Sequence, residues 1–313
     1  MMLDIIVTHY KEPWTVCKPF FDMLGCQRGV DFNDFRVLLI HDGTPEFPEE
    51  YFKDYPFNVS QYGIKHAGVS AARNHGLNMS DAKWVQFCDC DDTYTGIYAL
   101  RAVMSHMDID IDFMWSPFYV EYMPNNDLCV RVQENNIVWI HAKYFRRQWL
   151  IDNDLYFPVG IHYSEDSAFC AIANELLQPG RSGKIKADVP IYTWVYREDS
   201  VTVDPMNEVR NLTGFIDRNT YVVEEFKRRG IPHTGMVARM FADAYWAFHQ
   251  VKRKFPDQEK RFTKIAKDYY DDLRMNESNI VYRILNSARG TFSTREMDTS
   301  ESFWQWVERI ENT

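Results

Sequence analysis

The chain lacks the marks of export and membrane insertion. No apolar run in its 313 residues approaches the ~20 that a membrane span needs. The opening residues carry an acid at Asp4 and no basic leader, so they read as a first β-strand and not as a signal peptide. Cysteine is sparse, with six residues (Cys17, Cys26, Cys88, Cys90, Cys129 and Cys170), and none of the spacings is of the Cys-x-x-Cys kind. Cys88 and Cys90 alternate along one strand end, face the same way and are too close to bridge easily. Free thiols in a reducing cytoplasm are expected, and the four Asn-x-Ser/Thr matches, beginning with Asn58, are then chance occurrences. Positive charge is also short. With 35 Lys and Arg against 45 Asp and Glu, the formal charge of −10 argues weakly against a nucleic-acid backbone as the main partner. The basic clusters at Arg146 and Arg147, Lys227 to Arg229 and Lys252 to Lys254 keep DNA open, although such clusters are more often solvated helix surface. Internal repeats and low-complexity segments are absent as well.

What is present suits a globular α/β enzyme. A hydrophobic content of 45% can bury a large core, and the length allows one domain with an appendage or two domains. Short apolar, β-rich runs alternate with helical stretches through residue 100, which predicts βαβ units and a mainly parallel sheet. Leu3 to Thr8, Arg36 to Ile40 and Trp84 to Cys88 read as strands; Pro13 to Leu24 and Ser70 to Met79 read as helices. Ligands of such sheets sit outside the carboxyl ends of the strands, where Thr8, Asp42 and Asp89 all fall. From Met206 onward the pattern turns helical. Val237, Met240, Phe241, Ala244, Tyr245, Phe248 and Val251 form one apolar stripe, read as core packing, that ends at Pro256. Further helices are predicted at Lys260 to Arg274 and Glu301 to Ile310.

The most informative segment is Asp89, Cys90, Asp91 and Asp92, three carboxylates directly after a buried-looking strand. Hard oxygen ligands favour Mg²⁺ or Mn²⁺, and a cation held by one or two carboxylates keeps positions open for diphosphate oxygens. An isolated Asp-x-Asp is as readily an acidic turn or helix cap, with Asp92 capping a helix that begins near Thr93. A second acid pair, Glu165 and Asp166, reads either as an N-cap before a helix through Leu177 or as a catalytic pair in which mutual repulsion raises one pKa.

The order and spacing of several motifs resemble family 2 glycosyltransferases of the GT-A fold. They are Ile5 to Tyr10; Leu38 to Thr44 with Asp42; Gly68 to Leu77 with Arg73 and Asn74; and the Asp89 to Asp92 strand end. In the second half they are Ile137 to Phe157, similar to the family's acceptor-side helix, Ser164 to Phe169 with Glu165 and Asp166, and Tyr196 to Thr202 with Arg197. The resemblance covers about residues 3 to 202. Two positions depart from the pattern, Lys11 for the usual Asn and His41 for the first Asp of a pair.

The resemblance implies a GT-A-like, Rossmann-type sheet flanked by helices, with a helical C-terminal region. Residues 1–202 would form the catalytic domain, 1–100 its nucleotide-sugar-binding half and 101–202 its acceptor half, with 203–313 helical. It implies Asp91 as principal metal ligand, Asp89 near the donor ribose or the Mn²⁺ or Mg²⁺ ion, and Thr8, Tyr10 and Asp42 around the nucleoside. Arg73 would clamp the diphosphate or brace the acidic cluster, and Arg197 would lie near the diphosphate. Asp166 is the expected general base ahead of Glu165, and His162 is a second-tier candidate near the acceptor. The expected reaction is inverting, metal-dependent transfer of a sugar from a nucleotide diphosphate, most simply a UDP-sugar, to a hydroxyl acceptor. A glycan is favoured on charge, with a hydroxymethylated base in viral DNA as the alternative. A non-catalytic nucleotide-sugar-binding protein and a nucleotidyltransferase remain as other classes. The latter would show a glycine-rich basic loop near the first strand, and Thr8 to Glu12 is not one.

Overall fold

A computed structural model of the chain describes residues 1–198, 200, 207–276 and 301–313. They divide into two compact units: Met1–Gly160 with Glu165–Arg197, and Ile161–Ser164 with Glu198–Thr313. Parts of the expected Tyr196 to Thr202 motif, including Thr202, lie outside the described residues.

The first unit is built on the strands β1 (Leu3–His9), β2 (Phe35–Asp42), β3 (Asn58–Ile64) and β4 (Trp84–Asp89). All four are parallel and lie side by side in the order β4, β1, β2, β3. The residues of β1 are buried throughout, as a run such as Leu3, Ile5, Ile6 and Val7 requires when helices cover both faces of a sheet. The helices α1 (Trp14–Gly25) and α2 (Val69–Met79) are the βα crossovers that parallel pairing demands. The sheet changes character beyond β4. There β9 (Lys143–Arg146) runs antiparallel to β4 and to β6 (Phe113–Trp115), which pairs in parallel with β10 (Ser182–Lys184). A second sheet of β5 (Thr93–Tyr94), β11 (Tyr192–Trp194), β7 (Phe118–Tyr122) and β8 (Cys129–Gln133) stands beside the seven-stranded one.

Three differences between sequence and structure bear on the site. β3 was not expected, because its half-buried sequence carries no long apolar run. The segment Ile137 to Phe157, likened to one helix, is the strand β9 followed by the short helix α4 (Arg147–Asp152). Pairing between β4 and β6 buries Tyr144 and Phe145 and so overrides the local pattern. No helix begins near Thr93; that residue is in β5, and the next helix, α3, is Ala99–Met104.

The second unit carries the helices α6 (Asn207–Arg228), α7 (Thr234–Lys254), α8 (Glu259–Asn276) and α9 (Phe303–Glu311). The stripe on α7 packs as core, with Val237, Ala244, Phe248 and Val251 buried against Phe262, Tyr270 and Trp306. The side chains of Met240 and Phe241 lie outside the described residues. No helix among the described residues is long and apolar enough to cross a membrane.

One glycine sets how α2 lies on the sheet. A Cβ on Gly76 would come within 2.3 Å of Ile6 Cγ2 and 3.3 Å of Ile40 Cγ1. Replacing a mid-helix glycine by alanine ordinarily gains about 0.5–1 kcal/mol, whereas overpacking a close contact costs about 1–3 kcal/mol. The clash should win. Gly76→Ala is expected to destabilise the protein by about 1–2 kcal/mol in urea unfolding; a gain in stability would refute the close approach of helix and sheet.

Candidate active site

Strand register assembles the site. Thr8 lies opposite Asp89 across β1 and β4, and His9 lies opposite His41 across β1 and β2, so the last residues of three parallel strands share one rim. Thr8 Oγ1 donates to Asp89 Oδ1 at 3.0 Å.

Arg73 is the centre of the arrangement. Its side chain is 3% exposed, donates to Asp89 Oδ1 at 2.9 Å and to Glu165 Oε1 at 2.8 Å, and so ties the β4 end to the first turn of α5 (Glu165–Leu176). Burial opposes its charge, yet the carboxylates of Asp89, Glu165 and Asp166 hold its pKa above the ordinary arginine value. Of the two roles expected for Arg73, the geometry matches the brace. Both neighbouring motif residues are structural too: Asn74 exchanges hydrogen bonds with the Phe157 backbone at 2.8 Å each way, and Gly76 admits Ile6.

The three aspartates have distinct surroundings. Burial opposes ionisation of Asp89, but Arg73 and His141 outweigh it and keep the carboxyl below its usual range. Asp91 keeps its side chain 21% exposed, with Oδ2 at 3.0 Å from Arg197 Nε. Burial, then Asp92 and Asp89, push its pKa up to about 7 against the pull of Arg197. That surplus negative charge is what a divalent cation would offset. Asp92 is buried and spent on the second sheet: Tyr192 Oη donates to its Oδ2 at 2.8 Å and Val195 N–H to its Oδ1 at 3.0 Å. Its work is to fix β11 beside β4, not to cap a helix.

Asp89, Asp92 and His141 bring three ligand atoms within 4.8 Å of one another. His141 was not singled out in the sequence, since it lies in an irregular stretch where no spacing marks it. It is 8% exposed, and its Nδ1 stands 3.5 Å from Asp92 Oδ2. Burial disfavours its charge, but Asp92, Asp89 and Asp166 raise its pKa overall. Glu12, also unmarked in the sequence, accepts from the Tyr10 N–H at 2.7 Å and stands 3.7 Å from Arg197.

Glu165 and Asp166 open α5, where acids are favoured by the helix dipole. Glu165 is committed to Arg73, and its pKa is raised by burial and by Asp166 against the pull of Arg73. Asp166 accepts the Ser167 N–H at 2.6 Å through Oδ1 and the Ile140 N–H at 3.2 Å through Oδ2. His162 falls in the segment assigned to the second unit.

On the rim's other side, Tyr10 is 39% exposed and stacks on His66 at 4.4 Å between ring centroids. Lys11 has φ +68°, a conformation asparagine adopts more readily, and its Nζ lies 4.6 Å over the Tyr10 ring. His41 is core. It bonds His9 through Nδ1 at 2.8 Å and Gln61 through Nε2 at 3.0 Å, and burial with the nearby His9 lowers its pKa to about 4.

If Arg73 is a brace, its loss should appear in stability before any substrate is added. Removing one partner of a buried ion pair costs about 3–5 kcal/mol. Arg73→Met is expected to lower unfolding free energy by about 3 kcal/mol; a loss below about 1 kcal/mol would show the guanidinium to be dispensable to the fold.

Comparison with known proteins finds similarity over the part of the chain that carries these residues. The family model described as Glycosyl transferase family 2 matches residues 4–161. The uncharacterized glycosyltransferase EpsJ of Bacillus subtilis is 25% identical over 160 residues, 44% of this chain and 46% of that protein. The uncharacterized glycosyltransferase YibD of Escherichia coli is 24% identical over 155 residues, 41% and 45% of the two chains. The chain thus spans about half the length of the curated relatives it matches. Among solved structures, S. aureus TarS 1-349 in complex with UDP-GlcNAc is similar with a TM-score of 0.64 at 17% identity, covering 86% of this chain and 80% of that one. The mannosyltransferase PcManGT of Pyrobaculum calidifontis, in complex with GDP-Man and Mn²⁺, has a TM-score of 0.51 at 13% identity over 93% and 87%. These likenesses establish the GT-A fold.

Proposed function

The chain belongs to glycosyl transferase family 2, and from that premise we propose that it is an inverting, metal-dependent transferase. It would move a sugar from a nucleotide diphosphate, most simply a UDP-sugar, to a hydroxyl acceptor. One observation carries the reading. Buried Arg73 joins the acidic end of β4 to the acid pair of α5, so a set of acids suited to a cation and a set suited to proton transfer border one rim. The donors in the two GT-A neighbours, UDP-GlcNAc and GDP-Man, support a nucleotide-sugar.

Thr8, Tyr10 and Asp42 line the nucleoside end, and Asp89 sits where the ribose or the cation would lie. Asp91 and Asp89 are the favoured ligands of Mn²⁺ or Mg²⁺, because a cation serving a diphosphate needs open positions and both acids keep part of their side chains exposed, 21% and 30%. Asp89, Asp92 and His141 form the alternative set, supported by their close approach. Against it, His141 and Asp92 are buried and Asp92 is already committed to β11. A cation held there would supply charge neutralisation at the departing diphosphate. Arg197, beside Asp91, adds a second positive group on that side.

Asp166 acts as the base. A carboxylate can take the acceptor hydroxyl proton while that oxygen attacks the anomeric carbon from the face opposite the leaving group, which inverts the centre in one step. Backbone N–H groups of Ile140 and Ser167 orient it, and Glu165, held by Arg73, positions the helix start. A glycan acceptor is favoured over DNA because the basic clusters are largely offset: Arg228 and Arg229 pair with Glu225, and Lys252 with Glu259.

Asp166→Asn keeps shape and removes proton acceptance, so turnover is expected to fall about 10²- to 10⁴-fold with donor affinity nearly unchanged. Loss of donor binding at unchanged turnover would place Asp166 on the wrong side. Asp91→Ala is expected to abolish transfer and the metal-dependent part of donor-induced thermal stabilisation; full activity in that variant, or in excess EDTA, would sink the metal role.

A further inference from the structure

Asp42 occupies the position from which the resemblance would read the nucleobase, but its oxygens are taken. Oδ1 accepts the Ala67 N–H at 2.7 Å; Oδ2 accepts the Gly68 N–H at 2.9 Å and the His66 Nδ1–H at 2.8 Å. Its side chain is 4% exposed, whereas that of His66 is 54% exposed. The accessible polar group at this corner is therefore the imidazole, not the carboxylate.

Two contacts hold the ring and a third confines its backbone. Asp42 fixes one edge, Tyr10 covers a face at 4.4 Å with 13° between planes, and the turn after β2 lies against the His66 backbone. That turn is Gly43, with φ +71°; a Cβ there would lie 2.4 Å from His66 Cβ and 2.9 Å from its Cα and N. Glycine is needed at this point both for the left-handed backbone and for room. A carboxylate only accepts, so Nδ1 carries a proton, and in the neutral ring Nε2 is an acceptor. No hydrogen bond among the described residues engages Nε2.

We infer that His66, oriented by Asp42, reads the donor's nucleobase, its Nε2 accepting the ring N–H of uracil (N3) or guanine (N1). Cytosine and adenine present a lone pair at the corresponding ring nitrogen and would set acceptor against acceptor, so they are rejected. Asp42 is then a positioning residue. The inference rests on the nucleotide-sugar reading above and goes past it by naming the base class and its reader.

Titration calorimetry of the full chain with UDP, GDP, CDP and ADP, with Mn²⁺ at about pH 8 where histidine is ordinarily neutral, tests it. UDP or GDP is expected to bind at least about tenfold tighter than CDP and ADP, the scale of one buried acceptor left unpaired. N-methylation of the preferred base, as N3-methyl-UDP or N1-methyl-GDP, should remove that advantage without any mutation. His66→Ala, with folding checked by circular dichroism, should weaken the preferred nucleotide about tenfold, leave CDP and ADP unchanged and so erase the selectivity. Unchanged selectivity in folded His66→Ala, or equal binding of the methylated and parent nucleotides to the wild type, overturns the inference while the nucleotide-sugar reading stands. Failure of the wild type to bind any of the four overturns both.

Discussion

The buried guanidinium of Arg73 is the constraint on which the rest of the site depends. It satisfies Asp89 and Glu165 at once, and neither acid would be comfortable there without it, because burial alone pushes both toward the neutral form. The acidic end of β4 and the first turn of α5 are 76 residues apart in the chain, reckoned from Asp89 to Glu165. One side chain from a third element, α2, holds them together. Removing it would leave buried like charges facing one another, which is why the brace and the chemistry cannot be separated by mutation without a stability measurement.

Around that brace the electrostatics are graded. Asp89 is kept ionised, Asp91 has its pKa pushed up to about 7 against the pull of its partner Arg197, and Asp92 is consumed by Tyr192 and Val195. Three adjacent carboxylates thus do three jobs. The division follows the end of the strand. Asp89 is the last residue of β4 and faces Thr8, while the turn that follows sends Asp91 and Asp92 to different surroundings.

At the β2 end of the rim the same economy recurs. Asp42 closes the turn before α2 by accepting the Ala67 and Gly68 N–H groups, and its remaining bond orients His66. The departures from the family pattern have local physical meanings. His41 belongs to a buried His9 and Gln61 hydrogen-bonded chain, and Lys11 meets its left-handed backbone with a cation over Tyr10.

The parallel core was legible from residues alone because burial on both faces forces continuous apolar runs, as in Ile5 to Val7 and Val37 to Ile40. Polar residues at the ends of those runs marked Thr8, Asp42 and Asp89 as rim residues, and local spacing also marked the α7 stripe. Tertiary structure decided what pairing across the chain decides. It made β9 a strand within a segment that resembled a helix, added β3, spent Asp92 on Tyr192, made Arg73 a brace and brought Glu12, His66 and His141 to the rim. Periodicity reports which side of an element is buried; it carries no information about which distant group meets a given polar atom. That partner is set by strand register and by turns such as Gly43, where a left-handed backbone brings His66 against Asp42.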